Sequence, residues 1–163
     1  MTTGAALFIA FLVVQRLSEL AIARRNTARL LAEGAREVAP GHYPLIVALH
    51  TAWLLSIVWF GYDEPILWGW LVVFAVLQGL RLWILGTLGR RWTTRIIVTD
   101  EPLVVEGPFR YLRHPNYTLV VAEIFVAPMV LGLTGVALVF TVLNALVLFI
   151  RIRAEDGALR PAG

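Results

Sequence analysis

Gly107-Pro108-Phe109-Arg110-Tyr111-Leu112-Arg113-His114-Pro115-Asn116-Tyr117 sets a dense polar and basic run directly against the start of an apolar segment. Gly107-Pro108 breaks the extended run before it. Pro115 suits the first turn of a helix, where its missing N–H would have had no intrahelical partner. The stretch therefore predicts a helix opening near His114. The free N–H groups and positive dipole end of that helix favour an anionic group, as do Arg110 and Arg113 just upstream.

Composition places this chemistry in a bilayer. The chain has 163 residues, 59% of them hydrophobic, and a mean hydropathy of +0.77, too apolar for a soluble domain of this length. The absence of cysteine excludes a disulfide scaffold, a thiolate nucleophile and a cysteine-ligated zinc site. The net charge is +3, and every one of the 14 basic residues is arginine. Their concentration in two loops and the tail points to topology and away from nucleic-acid binding.

Outward from the central stretch, the pattern predicts an all-α integral membrane protein of five transmembrane helices. The spans fall near Gly4 to Ala23, Pro44 to Phe60, Ile66 to Leu88, Pro115 to Leu131 and Gly135 to Ile150, each close to the ~20 residues that cross a ~30 Å core. The last two, joined by Gly132-Leu133-Thr134, form a C-terminal helical hairpin. Arg24 to Pro40 reads as a short interfacial helix and Arg151 to Gly163 as a polar tail. In the connector Gly89 to Glu106, the runs Arg95–Val98 and Leu103–Val105 suggest a small β-hairpin. The chain reads as one membrane domain, 1–163: residues 1–88 supply three spans that shape a lipid-facing pocket, and residues 89–163 supply the connector, hairpin and tail.

Arginines give the orientation. The segment after the first span holds Arg24, Arg25, Arg29 and Arg36, the connector and central stretch hold Arg90, Arg91, Arg95, Arg110 and Arg113, and the tail holds Arg151, Arg153 and Arg160. The turns after the second and fourth spans hold none. Five spans with the N-terminus outside put all these basic segments in the cytoplasm. The central stretch then faces the cytoplasm, where soluble cofactors are, and reads as the active-site segment of a membrane enzyme.

Arg113-His114-Pro115-Asn116-Tyr117, taken with Arg151-Ile152-Arg153-Ala154-Glu155-Asp156 and Leu88-Gly89-Arg90-Arg91-Trp92, resembles the isoprenylcysteine carboxyl methyltransferase family. The resemblance implies an S-adenosylmethionine site at the cytoplasmic membrane face, opened by His114 and closed by Glu155-Asp156. It places Gly107, Arg110, Tyr111, His114, Pro115, Tyr117, Glu155 and Asp156 around the cofactor. Gln15-Arg16-Leu17-Ser18-Glu19-Leu20, Arg24-Arg25-Asn26 and His42-Tyr43-Pro44, followed by His50, are similar to a small bacterial branch associated with type III polyketide synthases. Members of that branch methylate long-chain alkylpyrones or alkylresorcinols.

Methyl transfer from a sulfonium donor is an in-line displacement in which the donor's positive charge disappears, so positioning and electrostatics are the main levers. The donor's carboxylate suits the helix start at His114 with Arg110 or Arg113, and its ammonium and ribose suit Glu155 or Asp156. Arg113 is expected to act on the acceptor oxygen, with Glu155 in a supporting acid or orienting role. An enolic or carboxyl acceptor is already acidic, so no strong base is needed.

The competing reading has Arg110, Arg113, Arg151 and Arg153 snorkelling from helix ends to the interface, in a helical scaffold or transporter subunit. Other acceptors, prenylated cysteine or a phospholipid amine, keep the methyl transfer. His42 and His50 have no third ligand nearby and are expected in the acceptor pocket with Trp92, not at a metal. Arg16 and Glu19, at i and i+3, can satisfy each other. Glu123 needs a partner in Arg81 or Arg16, or a place on the acceptor tunnel.

Overall fold

The computed structural model describes residues 2–38, 40–112 and 114–159; the side chains of His42 and of residues 154–159 are outside the description. Among the described residues five α-helices carry the fold: α1 Thr3–Ala32, α2 Tyr43–Gly61, α3 Trp68–Leu88, α4 Pro115–Met129 and α5 Thr134–Leu159. Two-residue strands, β1 Arg36–Glu37 and β2 Ile97–Val98, complete it. The expected all-α architecture is what forms. Of the helices, α1, α2, α3 and α5 are long and apolar enough to cross a membrane. Leu7, Leu55, Val72, Leu82, Val142 and Phe149 lie exposed on their outer faces, where lipid rather than water would meet them.

The exception is α4. Its 15 residues rise only about 22 Å, yet it is the interior helix, with Leu119, Glu123, Ile124, Val126, Ala127 and Pro128 all buried. It packs on α3 on one side and on α5 on the other. Pro128 removes the N–H that would have bonded the Ile124 carbonyl, and the Trp53 indole of α2 donates to that oxygen instead, at 3.1 Å. Trp53 is thus a core residue, packed among Phe8, Leu12, Ile57, Phe74 and Leu131. Gly132, at φ 69°, turns the chain from α4 into α5.

Three expectations are corrected. The first helix does not stop near Ala23 for a separate interfacial helix; α1 runs unbroken to Ala32. Its extension has partners: Asn26 Nδ2 donates to the Trp92 carbonyl at 2.8 Å and Arg29 Nη2 to the Arg90 carbonyl at 2.9 Å. Likewise α5 runs on through Arg151 to Leu159, so the described part of the tail is helix. The connector does not fold on itself as a hairpin. β2 pairs antiparallel with β1, Glu37 opposite Ile97, while Leu103 and Val105 are exposed. Pro102 could not have donated to a ladder there, and its carbonyl accepts from Arg91 Nη1 at 2.7 Å.

The helices alternate in direction, so the bundle has two unlike ends. At one end Thr2 Oγ1 donates to the Glu64 carbonyl at 3.0 Å beside the acidic turn Asp63-Glu64. At the other end, the last turns of α1, the connector, the start of α4 and the end of α5 gather the arginine-rich segments.

Candidate active site

The basic end is held by Arg151, a residue that the snorkelling alternative places at the interface. It is only 7% exposed. Its Nε donates to the Tyr117 hydroxyl at 2.9 Å and its Nη1 to the Thr94 carbonyl at 2.8 Å, joining α5 to α4 and to the connector. The guanidinium also lies over the Tyr117 ring, 5.4 Å from its centroid, and that ring stacks on His114. His114 stands at the N-cap and Pro115 opens α4, as the sequence predicts.

Two cavities meet at this clamp. One, of about 390 Å³, lies under the connector. Its walls include Leu30, Arg91, Arg95, Ile96, Val98, Leu103, Phe109, His114 and Pro115, and no described carboxylate lines it. Arg95 is fixed there by Glu37, whose carboxylate oxygens accept from Nη1 at 2.8 and 3.0 Å, and it lies over the Tyr43 ring. That hydrogen bond to Glu37 holds the Arg95 pKa above its ordinary value. The second cavity, of about 260 Å³, runs among α1, α2, α4 and α5 and is mainly apolar, with Leu17, Leu20, Ile46, Leu54, Val120 and Leu148 in its walls. Trp92, Thr93, Asn116, Tyr117 and Arg151 line both.

Behind the second cavity lies a buried polar network. Glu123 accepts from Arg81 through Nε at 2.6 Å and through Nη2, from Arg16 Nη2 at 2.9 Å and from Gln78 Nε2 at 3.1 Å. Glu19 pairs with Arg16 at 3.1 Å and with Arg81 at 3.2 Å. Two guanidiniums and two carboxylates neutralise one another, which is what a charged cluster among lipid-facing helices needs. Both partners anticipated for Glu123 are therefore engaged at once. Glu123 itself is fully buried and lines neither cavity; Arg16, Glu19 and Arg81 stand between it and the second one.

Of the residues expected around a cofactor, His114, Pro115 and Tyr117 line the larger cavity. Gly107, Arg110 and Tyr111 do not: Arg110 and Tyr111 are exposed, and a Cβ on Gly107 would sit 2.6 Å from Thr87 Oγ1 of α3. That glycine, at φ 55°, serves the packing of the connector on α3. Arg113 lies outside the described residues, as do the side chains of Glu155, Asp156 and His42. Trp92 lines both cavities and His50 the smaller. Sequence reasoning passed over Asn116, Asn144 and the Thr93-Thr94 pair. Asn144 carried a usable signal, an amide in an otherwise apolar span.

Comparison with known proteins gives the family. The model of the isoprenylcysteine carboxyl methyltransferase (ICMT) family matches residues 70–161, from within α3 through the connector and hairpin. Along nearly its whole length the chain is also similar to the uncharacterized protein YpbQ of Bacillus subtilis (strain 168). The two are 39% identical over 161 residues, 94% of this chain and 95% of the relative. No solved structure matches the chain.

Proposed function

Because the chain belongs to the isoprenylcysteine carboxyl methyltransferase (ICMT) family, we propose that it is an S-adenosylmethionine-dependent membrane O-methyltransferase acting on a lipophilic acceptor, a long-chain alkylpyrone or alkylresorcinol. The observation that carries this is the pair of cavities, the larger with mixed polar and apolar walls and the smaller mainly apolar, sharing a wall at Arg151, Tyr117 and Trp92. A polar donor and an apolar acceptor can each occupy one and meet at that wall.

The residues of the larger cavity fit the donor. The start of α4 at His114 and Pro115, with the arginines there, suits a carboxylate, and Leu30, Ile96, Leu103 and Phe109 offer apolar walls to an adenine ring. Glu155 remains the candidate for the ammonium and ribose on sequence grounds. Bound there, S-adenosylmethionine would supply an electrophilic methyl group. The chain's own contribution is orientation, exclusion of water by the apolar cavity, and a guanidinium at the shared wall that favours the acceptor oxygen as an anion. Arg151 fills that place, and Arg113 is kept as a second candidate on sequence grounds alone. Arg16 and Arg81 are neutralised by Glu19 and Glu123, so Arg151 is the charge of the smaller cavity with no ion pair among the described side chains, and it suits an anionic oxygen better than a phospholipid amine.

In the membrane, five spans with the N-terminus outside would place the arginine-rich end and both cavity mouths on the cytoplasmic side. Being interior, α4 need not match the full hydrocarbon thickness. The test is binding of S-adenosylmethionine to purified protein, then transfer of its labelled methyl group to a panel of alkylpyrone, alkylresorcinol, prenylcysteine and phosphatidylethanolamine. Label in the pyrone or resorcinol is expected. Donor binding without transfer to any oxygen acceptor would overturn the proposal.

A further inference from the structure

Three residues lining the smaller cavity each carry a buried nitrogen with no hydrogen-bond partner among the described residues: Asn144 Nδ2 on α5, Trp92 Nε1 in the connector and His50 Nε2 on α2. Asn144 is 2% exposed and Trp92 4%. Buried polar groups of native proteins are almost always satisfied, so an orphaned donor in a cavity wall marks where a ligand completes it. An indole N–H and an amide NH₂ can only donate, so the completing atom must be an acceptor. None of the three belongs to the buried ion network, whose members are paired with one another.

Resting on the reading of this cavity as the acceptor site, we infer that Asn144 and Trp92, with His50, form a recognition set for a second oxygen of the acceptor, distinct from the oxygen that takes the methyl group. The preferred acceptor is then a long-chain cyclic enol carrying a carbonyl or ring oxygen close to its hydroxyl. A resorcinol fits less well. Its second oxygen is a hydroxyl whose proton also needs an acceptor, which the Asn144 and Trp92 nitrogens do not supply. The apolar remainder of the cavity takes the start of the alkyl chain.

The experiment uses the full chain in detergent with two acceptors of equal chain length, a 6-alkyl-4-hydroxy-2-pyrone and a 5-alkylresorcinol, and the variants Asn144→Leu and Trp92→Phe. Each variant should raise KM for the pyrone about 10-fold to 100-fold and change KM for the resorcinol less than about threefold. Donor affinity should hold in Asn144→Leu, since Asn144 lines the smaller cavity and not the larger. Asn144→Leu should not lower the unfolding temperature, because it removes an unsatisfied donor; a structural asparagine would give the opposite result. If Asn144→Leu does not fold, Trp92→Phe carries the same comparison. Equal effects on both acceptors, or none on either, would overturn the inference. Should the wild type methylate neither acceptor, the methyltransfer reading falls on its own. The recognition set is then scored by equilibrium dialysis of the pyrone: binding weakened in the variants supports it, and binding unchanged or absent in the wild type removes it.

Discussion

Arg81 and Arg151 are buried to nearly the same degree, 4% and 7% exposed, yet they are partnered in opposite ways. Arg81 meets Glu123 and Glu19, so its charge is cancelled inside the bundle. Arg151 donates to a phenol and a backbone carbonyl and makes no ion pair among the described side chains. It stands where two cavities meet, whereas Arg81 lines one of them with its donors already committed. A buried arginine surrounded by carboxylates holds helices together. One held by neutral oxygens beside a cavity is the better placed of the two to meet an anionic ligand.

The largest effect should come from breaking the cancelled cluster. Glu123→Ala leaves Arg16 and Arg81 facing Glu19 alone, and removing one member of a buried ion pair costs about 3–5 kcal/mol. Detergent-solubilised protein should show a correspondingly lower resistance to thermal or SDS-induced unfolding. Removing a charge of each sign leaves Arg16 and Glu19 as a neutral pair, so Arg81→Met combined with Glu123→Leu should regain most of the loss. A Glu123→Ala protein as stable as the parent would mean that the cluster is not what holds α1, α3 and α4 in register.

At the mouth the order of effects reverses, with activity falling more than stability. A charge-assisted contact used mainly in the transition state contributes about 2–4 kcal/mol, so Arg151→Met should cut methyl-transfer turnover roughly 30-fold to 1000-fold. Arg151→Lys should recover little, since an ammonium cannot reach Tyr117, Thr94 and a ligand together as a planar fork does. Full turnover in Arg151→Met would return Arg151 to the role of a topology signal. Tyr117→Phe is the milder probe. It removes one hydrogen-bond acceptor and keeps the ring against His114, so about 1 kcal/mol, or a 3- to 10-fold slower reaction, is expected. A loss as deep as that of Arg151→Met would show that the hydroxyl itself acts on substrate.

The contrast between the two arginines was only half legible in the sequence. Spacing alone paired Arg16 with Glu19 and demanded a partner for Glu123, because an unpaired carboxylate among apolar residues is too costly to leave. Pro115 announced the start of α4 through its missing N–H. Arg151 gave no such sign. At a helix end, a snorkelling arginine and a clamp are the same letter, and only the fold brings Tyr117 and the Thr94 carbonyl to it across 34 and 57 positions. The unbroken α1 and the β1–β2 pairing were hidden for the same reason: Asn26, Arg29 and Glu37 find their partners in the connector, so their local propensities did not decide.

The smallest expected effect lies at the rim of the larger cavity and marks the lower bound of the comparison. Glu37 and Arg95 form a close ion pair, but the Arg95 side chain is 40% exposed, and screening limits such pairs to about 0–1 kcal/mol. Glu37→Gln should therefore leave unfolding within that range of the parent, with the difference shrinking as salt is added. The pairing raises the Arg95 pKa, so its contribution is fully present below the ordinary arginine value and lost only as pH climbs through the still higher folded one. Between pH 6 and 9 the pair adds no slope to stability. Because Arg95 lines the cavity assigned to the donor, a two- to threefold weaker affinity for S-adenosylmethionine is the main expected readout, measured by titration at low and high salt. If Glu37→Gln instead destabilised the protein as severely as Glu123→Ala, the β1–β2 contact would be a structural keystone, and the division between a holding core and an acting rim would have to be redrawn.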